Sequence, residues 1–337
     1  MVAKPSTLGD VARLAQVSIG TASKALNGRG SMRPATRQRV QEAAAALRFS
    51  VAGPVLQAAL RPRSGTVGLL TDDPGGRFAL PILTGVEDAL GPDHLSVLLC
   101  DTRGDLAREQ HHLRALLARG VDGLIVVGHR GDPRPPLATP PPVPVVYALS
   151  PSRDPRDVSV AGDDHAAGAL AARHVLALGR RRVVIVGGDP RYAAALRRAD
   201  GAVAALASAG LEAAAPPVFG AWSEEWGRAA VHRLLDRGTG LDAVLCGSDQ
   251  IARGAVDALL ARGRRIPLDV AVVGHDNWEE LAAHASPAVT SVDLNLAGIG
   301  ERAAELLTEA WAGAGQRAGT ELVPARLVVR ATTVTGS

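Results

Sequence analysis

Aromatic residues make up only 3% of the chain, so its cores must be packed from leucine, valine and alanine rather than from large rings. Cysteine is nearly absent: Cys100 and Cys246 are too few for a disulfide framework, which points to a reducing cytoplasm. Each ends an apolar run, so both read as small core residues. The opening Met1-Val-Ala-Lys-Pro-Ser6 lacks the apolar stretch of a secretory signal, and no run reaches the ~18 apolar residues of a membrane span. His111-His112 have no carboxylate or cysteine at ligand spacing, so they read as solvated residues and no metal is expected. Neither G-x-G-x-x-G nor G-x-x-x-x-G-K-[ST] occurs. Gly187-Gly-Asp-Pro190 is only a weak phosphate turn, and no nucleotide cofactor is expected. No Ser-His-Asp or Cys-His set stands out. The expectation is a cytoplasmic protein that is not an enzyme, has no cofactor and contacts no membrane.

What is present is uneven charge. Residues 1–63 hold two lysines and eight arginines against Asp10 and Glu42, a net of +8, while the whole chain is +3 and the remainder therefore −5. A basic end on an acidic body is the footprint of phosphate binding. Within that end, Leu8, Val11, Ala12 and Ala15 recur at helical spacing after Thr7, which can cap the helix. Gln16-Val17 breaks the period. Ser18 can cap a second helix that turns Ala22, Ala25 and Leu26 inward and Ile19, Gly20, Ser23 and Lys24 outward. Asn27-Gly28 ends it. Pro34 opens a third helix with Val40, Ala44 and Leu47 on one side, and Phe49 closes the unit. Two short helices joined this tightly describe a helix-turn-helix, whose second helix fits a DNA major groove. An ordinary helical hairpin has the same apolar pattern.

From Gly65 onward strand-like apolar runs alternate with amphipathic helices. The runs are Thr66–Leu70, Leu95–Cys100, Gly123–Val127, Val143–Tyr147, Val183–Val186, Ala243–Cys246, Val270–Val273 and Glu321–Val329. This alternation implies an α/β body of doubly wound parallel sheets, and its length favours two lobes with a cleft between them. Ligands of such sheets sit beyond the carboxyl ends of the strands, where Asp72, Asp73, Asp163, Ser248, Asp249 and Asp276 fall. The seven prolines of Pro133–Pro144 read as a surface loop ahead of a strand.

Thr7-Leu-x-Asp10-Val-Ala12, followed by Val17-Ser-x-x-Thr21-x-Ser23-x-x-Leu26-Asn27, resembles the head of the lactose-repressor (LacI/GalR) family of bacterial transcription regulators. The resemblance implies a helix-turn-helix DNA-binding domain over 1–50, a hinge over 51–63 and an effector-binding and dimerisation body over 64–337. That body is similar to periplasmic sugar-binding proteins. Its chain crossings are expected near Gly162, Thr290 and Gly319, so that lobe one takes 64–161 and 291–319 and lobe two 162–290 and 320–333. The implied DNA contacts are Thr7, Ser18, Ile19, Gly20, Thr21, Ser23, Lys24, Asn27 and Arg37. Leu60, with Leu56 as the alternative, is implied as a minor-groove wedge on a hinge helix, although Val51 stands where the family has proline and the register shifts by one. The implied effector contacts are Phe78, Asp163, Arg198, Trp222 and Asp276, with Ser248 where the family usually has asparagine. Asp163 and Asp276 equally fit helix caps, and Arg198 fits a surface arginine beside Arg197. No leucine heptad tail follows the last strand, so the expected partners are a near-palindromic double-stranded operator, a small polar effector such as a sugar, and a second copy in a homodimer.

Overall fold

The computed structural model describes residues 8–26, 32–47, 63–73, 75–91, 96–313 and 317–334. The chain divides into two compact units, residues 1–62 and 63–337.

Among the described residues of the first unit, helices α1 (Leu8–Leu14), α2 (Ile19–Leu26) and α3 (Pro34–Ala46) close on a core of Val11, Ala12, Ala15, Ala22, Ala25, Val40, Ala43 and Ala44. All eight are alanine or valine, which lets short helices approach closely without an aromatic filler. Gln16 takes the left-handed conformation (φ 53°) that turns the chain between α1 and α2. Ser18 then starts α2, its Oγ accepting from the Thr21 N–H at 3.1 Å. Thr7, Asn27, Phe49 and the hinge with Leu56 and Leu60 lie outside the described residues, as do the side chains of Leu8, Ser23 and Leu26.

The second unit is an α/β body of two six-stranded sheets. Sheet one contains β1 (Thr66–Thr71), β2 (Ser96–Asp101), β3 (Gly123–Val127), β4 (Val145–Ala148), β5 (Val158–Gly162) and β11 (Gly319–Val323), in the order β11-β5-β4-β3-β1-β2, all parallel. Sheet two contains β6 (Val183–Gly187), β7 (Val218–Phe219), β8 (Ala243–Cys246), β9 (Ala271–His275), β10 (Thr290–Asp293) and β12 (Arg326–Val328), in the order β12-β10-β9-β8-β6-β7, with only β12 antiparallel. Helices α4 (Ala79–Leu90), α5 (Leu106–Ala118) and α11 (Leu296–Trp311) cover sheet one. Helices α6 (Asp164–Ala177), α7 (Ala193–Ser208), α8 (Glu224–Asp236) and α9 (Asp249–Ala261) cover sheet two, with the single turn α10 (Glu279–Ala282) beside them. Among the described residues no helix is long and apolar enough to cross a membrane.

Four strand assignments change against the sequence reading, the smallest being β7, whose two residues are too few to form an apolar run. The run Glu321–Val329 is two strands, because Pro324 cannot donate to a ladder and the chain leaves sheet one there for sheet two. Val158–Gly162 and Thr290–Asp293 are strands whose apolar signal is diluted by Ser159 and Ser291, both buried with polar partners. The second and third crossings therefore follow Asp293 and Val323, a few residues later than Thr290 and Gly319. Cys100 is also only half-buried, because β2 is the edge strand of its sheet, whereas Cys246 lies in the core of lobe two.

Three helix pairs touch backbone to backbone through glycine: α4 with α11, α6 with α7, and α8 with α9. In the second pair a Cβ on Gly168 would lie 1.9 Å from the carbonyl oxygen of Arg198, and one on Gly201 would lie 1.9 Å from that of His165.

Candidate functional sites in the cleft and the head

The contact of α6 with α7 places the key cation of the body. With the backbones touching at Gly168 and Gly201, Arg198 on α7 reaches over the first residue of α6 and donates from Nε to Asp164 Oδ1 at 2.8 Å. Its Nη1 donates to the Gly247 carbonyl at 2.7 Å and to Asp276 Oδ1 at 3.0 Å. Arg198 is 7% exposed. Burial works against its charge, but Asp164 and then Asp276 outweigh that and raise its pKa above the ordinary arginine value. Asp276 mirrors this: burial pushes its carboxyl upward, yet Arg198 and Arg77 prevail and hold it below the usual carboxylate range.

These groups line a cavity of about 510 Å³ at the carboxyl ends of both sheets, a size suited to a small ligand. Lobe one contributes Arg77, Phe78, His129 and Arg130, and lobe two contributes Asp164, Tyr192, Arg198, Trp222 and Asp276. Tyr192 and Trp222 meet edge to face, with centroids 5.9 Å apart. Gly188 makes room for the indole, since a Cβ there would lie 2.2 Å from it. The glycine pair that resembled a phosphate turn thus seats two rings, Phe219 against Gly187 and Trp222 against Gly188. The cavity combines flat apolar faces with a charged, hydrogen-bonding floor, an arrangement able to hold a ring edged with hydroxyls.

The floor is fixed from behind. Asp276 has φ 93° and Asn277 φ 50°, a left-handed pair unusual outside glycine. Asp249 pins this turn by accepting from the Trp278 N–H at 2.7 Å and from Ser291 Oγ at 2.6 Å. Burial, reinforced by the charge of Asp276, pushes the Asp249 carboxyl up to about 7. His275 is buried, with Nδ1 2.8 Å from the Cys246 carbonyl. Burial and then Arg198 push its pKa down to about 4, so the ring is neutral and Nδ1 is the donor.

Two of the predicted effector residues stand at helix starts, outside the cavity lining. The Asp163 carboxylate accepts from the Ala166 N–H at 2.9 Å and caps α6; Asp164, one residue on, is the partner of Arg198 and lines the cavity. Ser248 is 1% exposed, caps α9 through the Ile251 N–H, and does not line the cavity. Phe78, Arg198, Trp222 and Asp276 do come together there. Asp72 pairs with His129 at 2.8 Å, and Asp73 accepts from the N–H groups of Phe78 and Ala79, anchoring the start of α4.

On the head, Ile19 is 59% exposed, and Gly20 and Lys24 stand beside it on the open face of α2. Ser18 and Thr21 hydroxyls bond each other at 2.8 Å. Arg37 is half-buried, and its Nε finds no partner among the described residues.

Residues 7–50 match the family described as bacterial regulatory proteins, lacI family, and residues 172–333 match a periplasmic binding protein-like domain. The HTH-type transcriptional regulator CelR of Thermobifida fusca is 34% identical over 333 residues, spanning 96% of this chain and 95% of that protein. The chain belongs to the LacI family of bacterial regulatory proteins. Its fold agrees. A solved CelR–cellobiose complex superposes with a TM-score of 0.65 at 31% identity, covering 97% of this chain and 99% of that one. A lac repressor bound to ONPG in the repressed state gives 0.64 at 26%, covering 98% and 100%. This LacI-family chain is a DNA-binding transcription regulator with a helix-turn-helix head and a ligand-binding body. Within that frame Arg77, Asp164 and Tyr192 are cavity residues that sequence reasoning missed. Only Asp164 carried a signal, as the second acid of a pair in a segment already singled out.

Proposed function

We propose that this regulator is a repressor that binds a near-palindromic operator as a homodimer and changes its operator affinity when a small polyhydroxylated effector, a sugar or related metabolite, occupies the cleft. The observation that carries this reading is the Asp164–Arg198–Asp276 constellation on the floor of a cavity walled by Phe78, Tyr192 and Trp222. A carboxylate accepts from two hydroxyls and a guanidinium donates along a rigid fork, so the three groups match a ring with several hydroxyls. The CelR complex was solved with cellobiose, which supports the sugar class. In the head, Ile19 meets a base edge by apolar contact, Gly20 allows close backbone approach, and Lys24 contacts base or phosphate. Ser18, Thr21, Ser23 and Arg37, with Thr7 and Asn27 at the ends of the motif, position the head on phosphates. Leu60 acts as the hinge wedge. The effector works only through its differential affinity for two lobe arrangements, which space the two heads differently. A solute-binding protein shares the body but has no use for the basic head.

The test is a fluorescence titration of selected operator DNA at fixed salt, with and without each member of a sugar and nucleoside panel chosen by thermal shift. We expect at least one binder to move operator affinity fivefold or more. Binders that stabilise the body and leave operator affinity unmoved would sink the allosteric reading.

A further inference from the structure

Asp276 has two carboxylate oxygens, and both are occupied. Oδ1 accepts from Arg198, which belongs to the same lobe. Oδ2 accepts from Arg77, which belongs to the other. Arg77 lies just ahead of α4, and the described residues around it are tied by hydrogen bonds. Asp73 accepts from the Phe78 and Ala79 N–H groups at 2.7 and 3.0 Å, its carbonyl accepts from the Gly76 N–H at 3.1 Å, and Gly76 sits at φ 67°. The guanidinium crosses the cleft between two rings, 4.9 Å from the centroid of Phe78 in lobe one and 4.5 Å from that of Trp278 in lobe two. The Asp276 side chain is only 8% exposed, so the pair sits where bulk water screens it little.

Resting on the reading of the cleft as the effector site, we propose that Arg77 is a specificity-setting residue that occupies the acceptor an effector hydroxyl would take, and so bridges the two lobes. Any hydroxyl on the Asp276 carboxylate makes a charge-assisted bond, but Arg77 adds the attraction of a full opposite charge at a site where the carboxylate is buried. A neutral ligand that offers a single hydroxyl to Asp276 therefore does not displace Arg77. A ligand that enters must bring several donors together, or stack on Phe78 and Trp278 in place of the guanidinium. The bridge joins residues 199 positions apart, and it links the lobe-one turn to the strained turn at Asp276.

The test is hydrogen–deuterium exchange on the full ligand-free chain, comparing wild type with Arg77→Met and Arg77→Lys. Methionine keeps an apolar stem between the rings and drops the charge. Lysine keeps the charge without the planar fork. We expect Arg77→Met to speed exchange several-fold in two segments of opposite lobes, 76–80 and 275–278, while β3 and β8 keep their protection. Arg77→Lys should fall between. Acceleration confined to 76–80 would overturn the bridge, as would no change in either segment. If Arg77→Met exchanges fast throughout both sheets, Arg77→Lys decides by the same criterion. No effector is added, so a negative result strikes the bridge alone, whereas an operator affinity indifferent to cleft ligands strikes the effector reading.

Discussion

Replacing Arg198 by methionine is the sharpest perturbation the cleft allows. The side-chain volume is largely kept, and the charge and three hydrogen bonds are lost. The Gly247 carbonyl loses its guanidinium donor, Asp164 loses its partner, and Asp276 keeps only Arg77. Breaking a buried ion pair by removing one member costs about 3–5 kcal/mol, because the other charge stays behind. Arg77 still faces Asp276, which puts the expected loss near the lower end, about 3 kcal/mol. At roughly 2–4 °C per kcal/mol for a body of this size, that is a fall in Tm of roughly 6–12 °C. The pH dependence identifies the cause. In wild type the Asp276 pKa is lowered, so its contribution is present above the ordinary carboxylate pKa of about 3.9 and is lost as pH falls through the lower folded value. Without Arg198 the attraction that opposed burial is gone, and each step up in pH charges carboxylates the site no longer holds. The gap between wild type and variant should therefore widen from pH 5 to pH 8. Calorimetry across that range, run beside operator titrations with a cleft-binding sugar, measures both parts. A variant whose Tm lies within about 2 °C of wild type at pH 7.5, with no trend in pH, would show that Arg198 is not the keystone of the floor. A full ligand response would remove it from effector binding.

Three other substitutions address separate links. Lys24→Ala should weaken specific operator binding by about 1–3 kcal/mol without lowering Tm; unchanged affinity at fixed salt takes Lys24 out of the interface. Gly168→Ala places a methyl 1.9 Å from the Arg198 carbonyl oxygen, and forcing α6 from α7 should cost about 1–3 kcal/mol and blunt the ligand response; a variant as stable and responsive as wild type shows that the two helices yield freely. Asp249→Asn should flatten the pH profile of stability. The folded pKa of Asp249 is raised to about 7, so wild type loses stability as pH rises from about 4 through 7, and the amide removes that loss; matching profiles would assign the titration elsewhere.

The head was legible because its signal is local. Period, cap and turn residues all lie within a few positions, and Val11, Ala12, Ala15, Ala22, Ala25, Val40 and Ala44, read from spacing, are all in the core of α1, α2 and α3. The α/β body was legible wherever strands were apolar runs and blurred where a buried serine took a polar partner, as at Ser159 and Ser291. The cleft was half legible. Asp163 and Asp164 are adjacent acids at a helix start, and a step of one residue turns a side chain by about 100°. Sequence alone does not say which of them caps the helix and which faces the arginine. Ser248 is ambiguous in the same way, since a strand-end serine before a helix serves as a cap or as a ligand contact equally well, and here it caps α9. Arg77 left no trace, because its partner is 199 residues away and only the docking of the two lobes brings them together.

How a ligand on the floor would be felt elsewhere follows from what holds Asp276. Its N–H donates to the Val292 carbonyl at 2.8 Å, and the Asn277 N–H donates to Ser291 Oγ at 3.0 Å. Val292 and Ser291 belong to β10, the strand that leads into the second chain crossing. Asn277 Oδ1 accepts from Arg330 at 2.7 Å, just beyond the third crossing. The turn that presents the carboxylate is thus bonded to residues that flank two of the three crossings. It is also held in a conformation that costs on the order of 1–3 kcal/mol for a residue such as Asp276 at φ 93°. Allosteric couplings are typically about 1–3 kcal/mol, so relaxing or tightening this single turn is of the magnitude needed. An effector that replaces Arg77 on Asp276 would change the bridge across the cleft and the load on the crossings in one step. The lobes need no second contact with the ligand to register its arrival.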